Sequence, residues 1–350
     1  MTWAPLLLAD PSPCLRWLVL RQLLHLPDDH PEVIELAALR LSDPRLTSIL
    51  SLQESDGSWT GGGLAEGRTG GSPILSTAFA LARLSFLGFD RSHPAILRAA
   101  EYLFSQQLPD GSWPLGRAEA DLEQDERPKR EGYSMIPLQT AFPLRGLAGC
   151  GFATDPRAER GYDWLLPQRL PDGAWPTGMA SGVYGYVAGY RRLPHSRWGC
   201  RSNTTGALVC LSLHPERRRS SEAQRALDIL LGRETREKHV IGFEVARLLG
   251  AERARGFITF FARFDLALIL SLCCSMGVSS SDVRLADLIR FVMGLQGEYG
   301  LWEYPAQPQV SRWLTFDLMR SIAGVSENVD WINLEPRTPF QPYPKRGRRY

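Results

Sequence analysis

Two kinds of apolar pattern alternate along the chain. One is amphipathic at helical spacing: Ala223, Ala226, Leu227 and Leu230 share a face, as do Leu285, Leu288, Ile289, Val292 and Leu295, with charges opposite. The other is apolar nearly all round. It covers residues 14–24, 74–87, 136–148, 203–213, 258–273 and 313–322. A helix without a polar face is buried on more than one side. Helix starts precede the amphipathic stretches. Asp43-Pro44 and Asp155-Pro156 place an N-cap before an N1 proline. Ser221 with Gln224 reads as a capping box, and Ser92 and Ser281 as further caps. The pattern predicts an all-α protein of two concentric helical layers, with six pairs able to close on themselves.

A short motif punctuates the pairs. It reads SLQESDGSWTGG from Ser51, SQQLPDGSWPLG from Ser105, PQRLPDGAWPTG from Pro167 and GLQGEYGLWEYP from Gly294. Trp59, Trp113 and Trp175 stand 54 and 62 residues apart, and Trp302 follows 127 residues later, about twice the period. A degenerate copy is therefore expected between them, and residues 237–246 fit, with Phe243 near the tryptophan slot. Asp-Gly makes a tight turn in which glycine takes a positive φ. The tryptophan covers apolar area at the turn, and the glutamine six residues earlier ties down the helix end. The motif is read as a structural clamp.

The 350 residues carry a net charge of +2, which calls for neither nucleic acid nor a charged membrane as partner. The most apolar stretch is interrupted by Arg263 and Asp265, so it reads as a buried helix and not a membrane span. The start lacks a basic region and reads as no signal peptide. Six scattered cysteines, at 14, 150, 200, 210, 273 and 274, fit a reducing compartment, and the expected location is cytoplasmic.

The sequences QESDGSW, QLPDGSW and RLPDGAW resemble the QW repeats of squalene–hopene and oxidosqualene cyclases, and the glycine-rich repeats of protein prenyltransferase β subunits. The resemblance covers roughly residues 10 to 324. It implies an (α/α)6 toroid whose central cavity holds an isoprenoid. Residues 1–324 are expected to form that one domain, and residues 325–350 a proline-rich basic tail. The acidic DxDD motif of the cyclases is absent, as is the Asp-x-Cys element of the zinc-holding β subunits.

Candidate chemistry is sought on the inner helices. RFDLALIL and TFDLMRSI share Phe-Asp-Leu, which suggests equivalent places for Asp265 and Asp317. Buried carboxylates either pair with Arg16, Arg263 or Arg312 or carry raised pKa values, and a raised pKa suits a general acid. Thr77, Gln139, Thr140, Asn203 and Thr204 are the other polar inner positions, read with Arg16 as a polar ring about the cavity. The loop over residues 176–205 brings Tyr184, Tyr186, Tyr190 and Trp198 with Arg191, Arg192, Arg197 and Arg201. Aromatic faces there stabilise cations, and the arginines receive a phosphate or carboxylate. Arg312-Trp313 repeats the Arg197-Trp198 pair and is expected on the same rim.

Asp121, Glu123 and Asp125, followed by Arg127, Lys129 and Arg130, are the candidates for Mg²⁺ and a diphosphate. His195, Cys200 and His239 are the weak zinc candidates; otherwise no cofactor is called for. The tail offers Trp331, Phe340 and Tyr343 as anchors across the toroid and a basic end for peripheral contact with anionic lipid. The leading expectation is a cyclase-like protein acting on or binding an isoprenoid, with Asp265 or Asp317 as acid, as a monomer or homodimer. The alternatives are a non-catalytic lipid- or peptide-binding toroid and a zinc-dependent prenyltransferase β-like subunit that needs a partner.

Overall fold

The computed structural model describes residues 3–60, 72–115, 133–232, 239–253, 256–297 and 299–326. Its α-helices are α1 (Trp3–Leu8), α2 (Pro13–Gln22), α3 (Pro31–Leu39), α4 (Pro44–Leu50), α5 (Pro73–Phe86), α6 (Pro94–Ser105), α7 (Leu138–Leu147), α8 (Pro156–Leu165), α9 (Arg201–Ser212), α10 (Ser221–Leu231), α11 (Phe243–Leu248), α12 (Leu266–Ser275), α13 (Val283–Met293) and α14 (Ser311–Ser326). The inner layer is α2, α5, α7, α9, α12 and α14. Helices α7 and α9 are buried along their whole length, and the polar first half of α9 is buried with the rest. The outer helices α6, α8, α10 and α13 bury one face each. The protein is an all-α, toroid-type double layer.

Asp43 and Asp155 cap α4 and α8 as expected, each accepting from the N–H two residues on. The other starts lie one residue away from the expected ones. Ser220 caps α10, His93 caps α6 and Asp282 caps α13. The fifth inner helix also differs: it begins at Leu266, capped by Asp265, and residues 258–265 form a turn and a short strand instead.

The tryptophan motif is a clamp with two jaws. The indole Nε1 of Trp59, Trp113, Trp175 and Trp302 donates to the carbonyl ten residues earlier, in the last turn of the outer helix, at 2.7–2.9 Å. The backbone N–H of the same tryptophans donates to a buried threonine on the next inner helix: Thr77, Thr140, Thr204 and Thr315. Gln53 and Gln107 bridge from their own turn glycine to the first turn of the next outer helix, at Ala95 O and Arg157 O. The third copy has Arg169 in this slot, 4.0 Å from Glu222 of the next outer helix. Each clamp thus ties one outer helix to one inner helix, and the first two also bind the following hairpin, with bonds that buried backbone groups need in any case.

The ring closes with a step. α14 runs beside α2, with Arg312 and Asp10 at one end (3.5 Å) and Arg320 and Gln22 at the other (3.3 Å). On the opposite side α2 meets the far end of α5: a Cβ on Gly88 would lie 3.1 Å from Leu18 and 3.3 Å from Trp17. Phe86, the last residue of α5, packs on Trp313, near the start of α14 (centroids 5.5 Å apart). The fifth hairpin carries the excursion that fills the middle. Its helix α11 touches α5 and α14, and Arg83 and Arg45 hold its end through Leu248 O (3.0 Å) and Leu249 O (3.3 Å).

Candidate functional site

At the centre lies a cluster of phenylalanines from three sources. Phe79 comes from α5, Phe142 from α7, and Phe257, Phe260 and Phe261 from the segment before α12. Phe142 stands 4.8 Å from Phe260, edge to face, and 5.8 Å from Phe261, stacked; Phe79 meets Phe260 at 5.8 Å. All five are buried. The central hole implied by the resemblance is therefore filled by side chains of the chain itself. A groove of 640 Å³ lies on the outer wall instead, beside Ser55, Asp56, Leu97, Arg98 and Tyr102.

Against the cluster sits a buried ionic group. Glu244 of α11 pairs with Arg145 of α7 and with Arg247, one turn along α11. The guanidinium of Arg247 lies 3.6 Å over the Phe260 ring, and that of Arg145 lies 5.6 Å over Phe261. Burial pushes the Glu244 carboxyl up, but the two arginines outweigh it and hold the pKa below its usual value. Burial lowers the pKa of Arg247. Arg145 Nη1 and Arg247 Nε have no acceptor among the described residues.

The two expected acids flank this group and differ in their surroundings. Asp265 caps α12 through the N–H of Ala267 (3.2 Å) and also accepts from the N–H of Gly242 (2.9 Å) and Glu244 (2.7 Å). It thereby joins the starts of α11 and α12. Burial raises its pKa to about 6, against the N–H donors of Glu244 and Gly242 and against Arg247, with the Glu244 charge adding to the rise. Asp317 lies inside α14 and is paired with Arg320 one turn on. Burial raises its pKa too, Arg320 opposes, and Glu244 adds. The shared Phe-Asp-Leu does not give equivalent roles. In the last hairpin the clamp N–H goes to Thr315, two residues before Asp317, whereas in the fifth hairpin the N–H of Gly242 goes to Asp265 itself.

The remaining expected residues spread over several surroundings. Thr77, Thr140 and Thr204 serve the clamps. Gln139 accepts from Ile136 N (2.8 Å) and donates to Trp113 O (2.6 Å). Asn203 accepts from Leu138 N (3.0 Å) and donates to Thr177 O (3.3 Å). These side chains staple the wall and do not form a polar ring about a hole. The rim loop folds as a two-residue hairpin, Met179–Ala180 against Val183–Tyr184. Tyr186 and Tyr190 are exposed, Tyr184 and Trp198 half-buried, and Arg197 lies 5.2 Å over the Trp198 ring. Trp313 is fully buried against Phe86, and its Nε1 has no acceptor among the described residues. Arg312 pairs with Asp10, Arg263 lies 4.4 Å over Phe243, and the half-buried Arg16 has an unpartnered Nε.

His195 is exposed, Cys200 buried, and His239 packs on Phe291; among the described residues no three His, Cys, Asp or Glu converge as metal ligands. The acidic and basic residues at 121–130 and the anchors Trp331, Phe340 and Tyr343 lie outside the described residues. Among the described residues no helix is long and apolar enough to cross a membrane. Sequence reasoning missed the phenylalanine cluster, Arg145, Glu244 and Arg247. One signal was available: an arginine, Arg145, in the last turn of the apolar stretch 138–147.

Residues 39–188 match the squalene–hopene cyclase C-terminal domain. The chain is 28% identical over 162 residues to a lanosterol synthase of Candida albicans, covering 46% of this chain and 20% of that enzyme. It is 29% identical over 150 residues to a squalene–hopene cyclase of Zymomonas mobilis, covering 42% of this chain and 21% of that enzyme. It thus spans about a fifth of the length of these curated relatives. Among solved structures, the type II terpene cyclase MstE from Scytonema aligns at a TM-score of 0.35 and 16% identity, over 79% of this chain and 95% of that one. Residues 39–188, which carry three of the tryptophan clamps within the double helical layer, are thus similar to the squalene–hopene cyclase C-terminal domain.

Proposed function

We propose that the chain is a terpenoid cyclase-like domain that takes an isoprenoid chain at its centre, against Phe79 and Phe142, with Asp317 as the proton donor. The observation that carries this reading is the buried Glu244–Arg247 group, which lies against the central phenylalanines on one side and acts on Asp265 and Asp317, two buried carboxyls of raised pKa, on the other. An apolar chain gains roughly 25 cal/mol for each Å² it buries there. Of the two acids, Asp265 is committed to three backbone donors and serves as a hairpin cap. Asp317 is held by the Arg320 side chain and, among the described residues, by no backbone N–H. In the proposed step its O–H bond breaks and the proton joins one carbon of an alkene, using the π pair. The carboxylate left behind stays paired with Arg320. The cation formed is stabilised by phenyl faces, each contributing about 0.5–2 kcal/mol, until a C–H bond beside it breaks, its electron pair forms a new C=C and its proton passes to water, which gives an isomer of the substrate.

The test is incubation of the purified chain with squalene, reading bound squalene and any isomeric product by mass spectrometry. Asp317→Asn should keep binding and lose at least about 100-fold in product formation, as removal of a general acid does. Unchanged turnover in that variant refutes the acid assignment. Absence of squalene binding refutes the isoprenoid reading. A non-catalytic isoprenoid-binding role is favoured by one observation, the Arg320 pair that draws Asp317 toward its ionised form. Binding without product in the wild type selects that role.

A further inference from the structure

We infer that residues 256–264 form a displaceable plug, a stretch of the chain occupying the place of the guest that the isoprenoid reading assigns to the centre. The inference rests on that reading for the identity of the guest alone. Three features set this segment apart from ordinary core. First, it is not part of a layer. The inner helix it leads into starts at Leu266, so Phe257, Phe260 and Phe261 reach the centre from an excursion between an outer and an inner helix. Second, the polar bonds that hold it to the wall go to its backbone. Ser202 accepts from Phe261 N (3.0 Å), Arg201 donates to Ala262 O (3.2 Å) and Arg247 donates to Phe260 O. Such contacts position a strand of chain and can be released as a unit, while the walls keep the clamp bonds that join the hairpins. Third, both ends have a pivot. Gly256 adopts φ +74, a left-handed conformation open to glycine, and Asp265 anchors the other end to Gly242 and Glu244. With the segment withdrawn, the exposed wall is Phe79, Phe142, Arg145 and Gly206. Gly206 is kept bare by Leu138, which a Cβ would meet at 2.2 Å, and it faces the Phe261 ring at an ordinary contact distance of 3.4 Å. An apolar chain with a flat or unsaturated section fits such a wall.

Hydrogen exchange of the free protein tests the plug directly. Amides of Phe260, Phe261 and Ala262 should exchange at least about 100-fold faster than those in the middle of α7 and α9, through an opening short of global unfolding. Exchange at the same rate as those helices overturns the plug, since the segment then opens only when everything does. The second measurement is squalene binding to the double variant Ser202→Cys/Phe261→Cys, oxidised and then reduced. A cross-link should lower binding at least about 10-fold, and reduction should restore it. Equal binding in both states overturns the plug and leaves the isoprenoid reading standing. Fast exchange together with no squalene binding to the wild type or the reduced form overturns the isoprenoid reading instead.

Discussion

The clamp turns make a demand on glycine that can be separated into two costs. Gly111 and Gly151 have almost the same positive φ, +92 and +91. Their surroundings differ. A Cβ at Gly151 would find only the Arg91 side chain, at 3.7 Å, an ordinary contact. A Cβ at Gly111 would stand 2.3 Å from the carbonyl oxygen of Arg160, in the middle of α8. Alanine in the left-handed region costs about 1–2 kcal/mol at either position. At Gly111 the outer helix must also withdraw by roughly 1 Å, an overpacking cost of about 1–3 kcal/mol. That shift pulls Arg157 O away from Gln107 Nε2, now 2.9 Å distant, for about another 1 kcal/mol. Gly111→Ala should therefore lose about 2–4 kcal/mol more than Gly151→Ala. Urea unfolding followed by circular dichroism reads both losses on the same scale. Equal losses would refute the view that the clamp glycine is chosen for close approach of the next hairpin as well as for its dihedral.

Other consequences follow from the same contacts. Thr204→Val leaves the buried Trp175 N–H without its acceptor and should cost about 1–3 kcal/mol in the same assay, with Ser at this position restoring most of it. Glu244→Gln strands Arg145 and Arg247 in the interior and should cost about 3–5 kcal/mol, more than loss of the exposed Arg290–Asp287 pair, which should be nearly silent. Asp265 has a folded pKa of about 6 against an ordinary 3.8, so its protonated form is favoured by folding. Its contribution is complete below about pH 3.8 and is lost as the pH rises to about 6. Asp265→Asn should remove that fall between the two pH values, while a constant penalty appears because an amide nitrogen cannot accept from the N–H groups of both Gly242 and Glu244. Thermal melts of both proteins across the range check it, and parallel curves would show that Asp265 does not titrate there.

Much of this protein is decided locally and can be read along the chain. The alternation of amphipathic and wholly apolar stretches determined the two layers, because a helix face that cannot be hydrated must be covered. The recurrence of Gln, Asp-Gly and Trp determined the clamp, because a tight turn, a helix end and a large ring satisfy one another within a dozen residues. What stands in the middle was decided only by tertiary structure. Phe79, Phe142 and Phe260 are far apart in sequence, and each looks like any other apolar residue of its segment. The fifth apolar run read as helix from residue 258, yet Asp265 caps α12 there and turns the preceding residues into the centre. Gln139, Asn203 and the inner threonines looked like cavity polar groups because sequence cannot say which side of a fully buried helix meets a neighbouring backbone. The pairing of Glu244 with Arg145, 99 residues away, belongs to the same class: no short-range pattern encodes a contact whose free energy comes from two distant segments leaving water together.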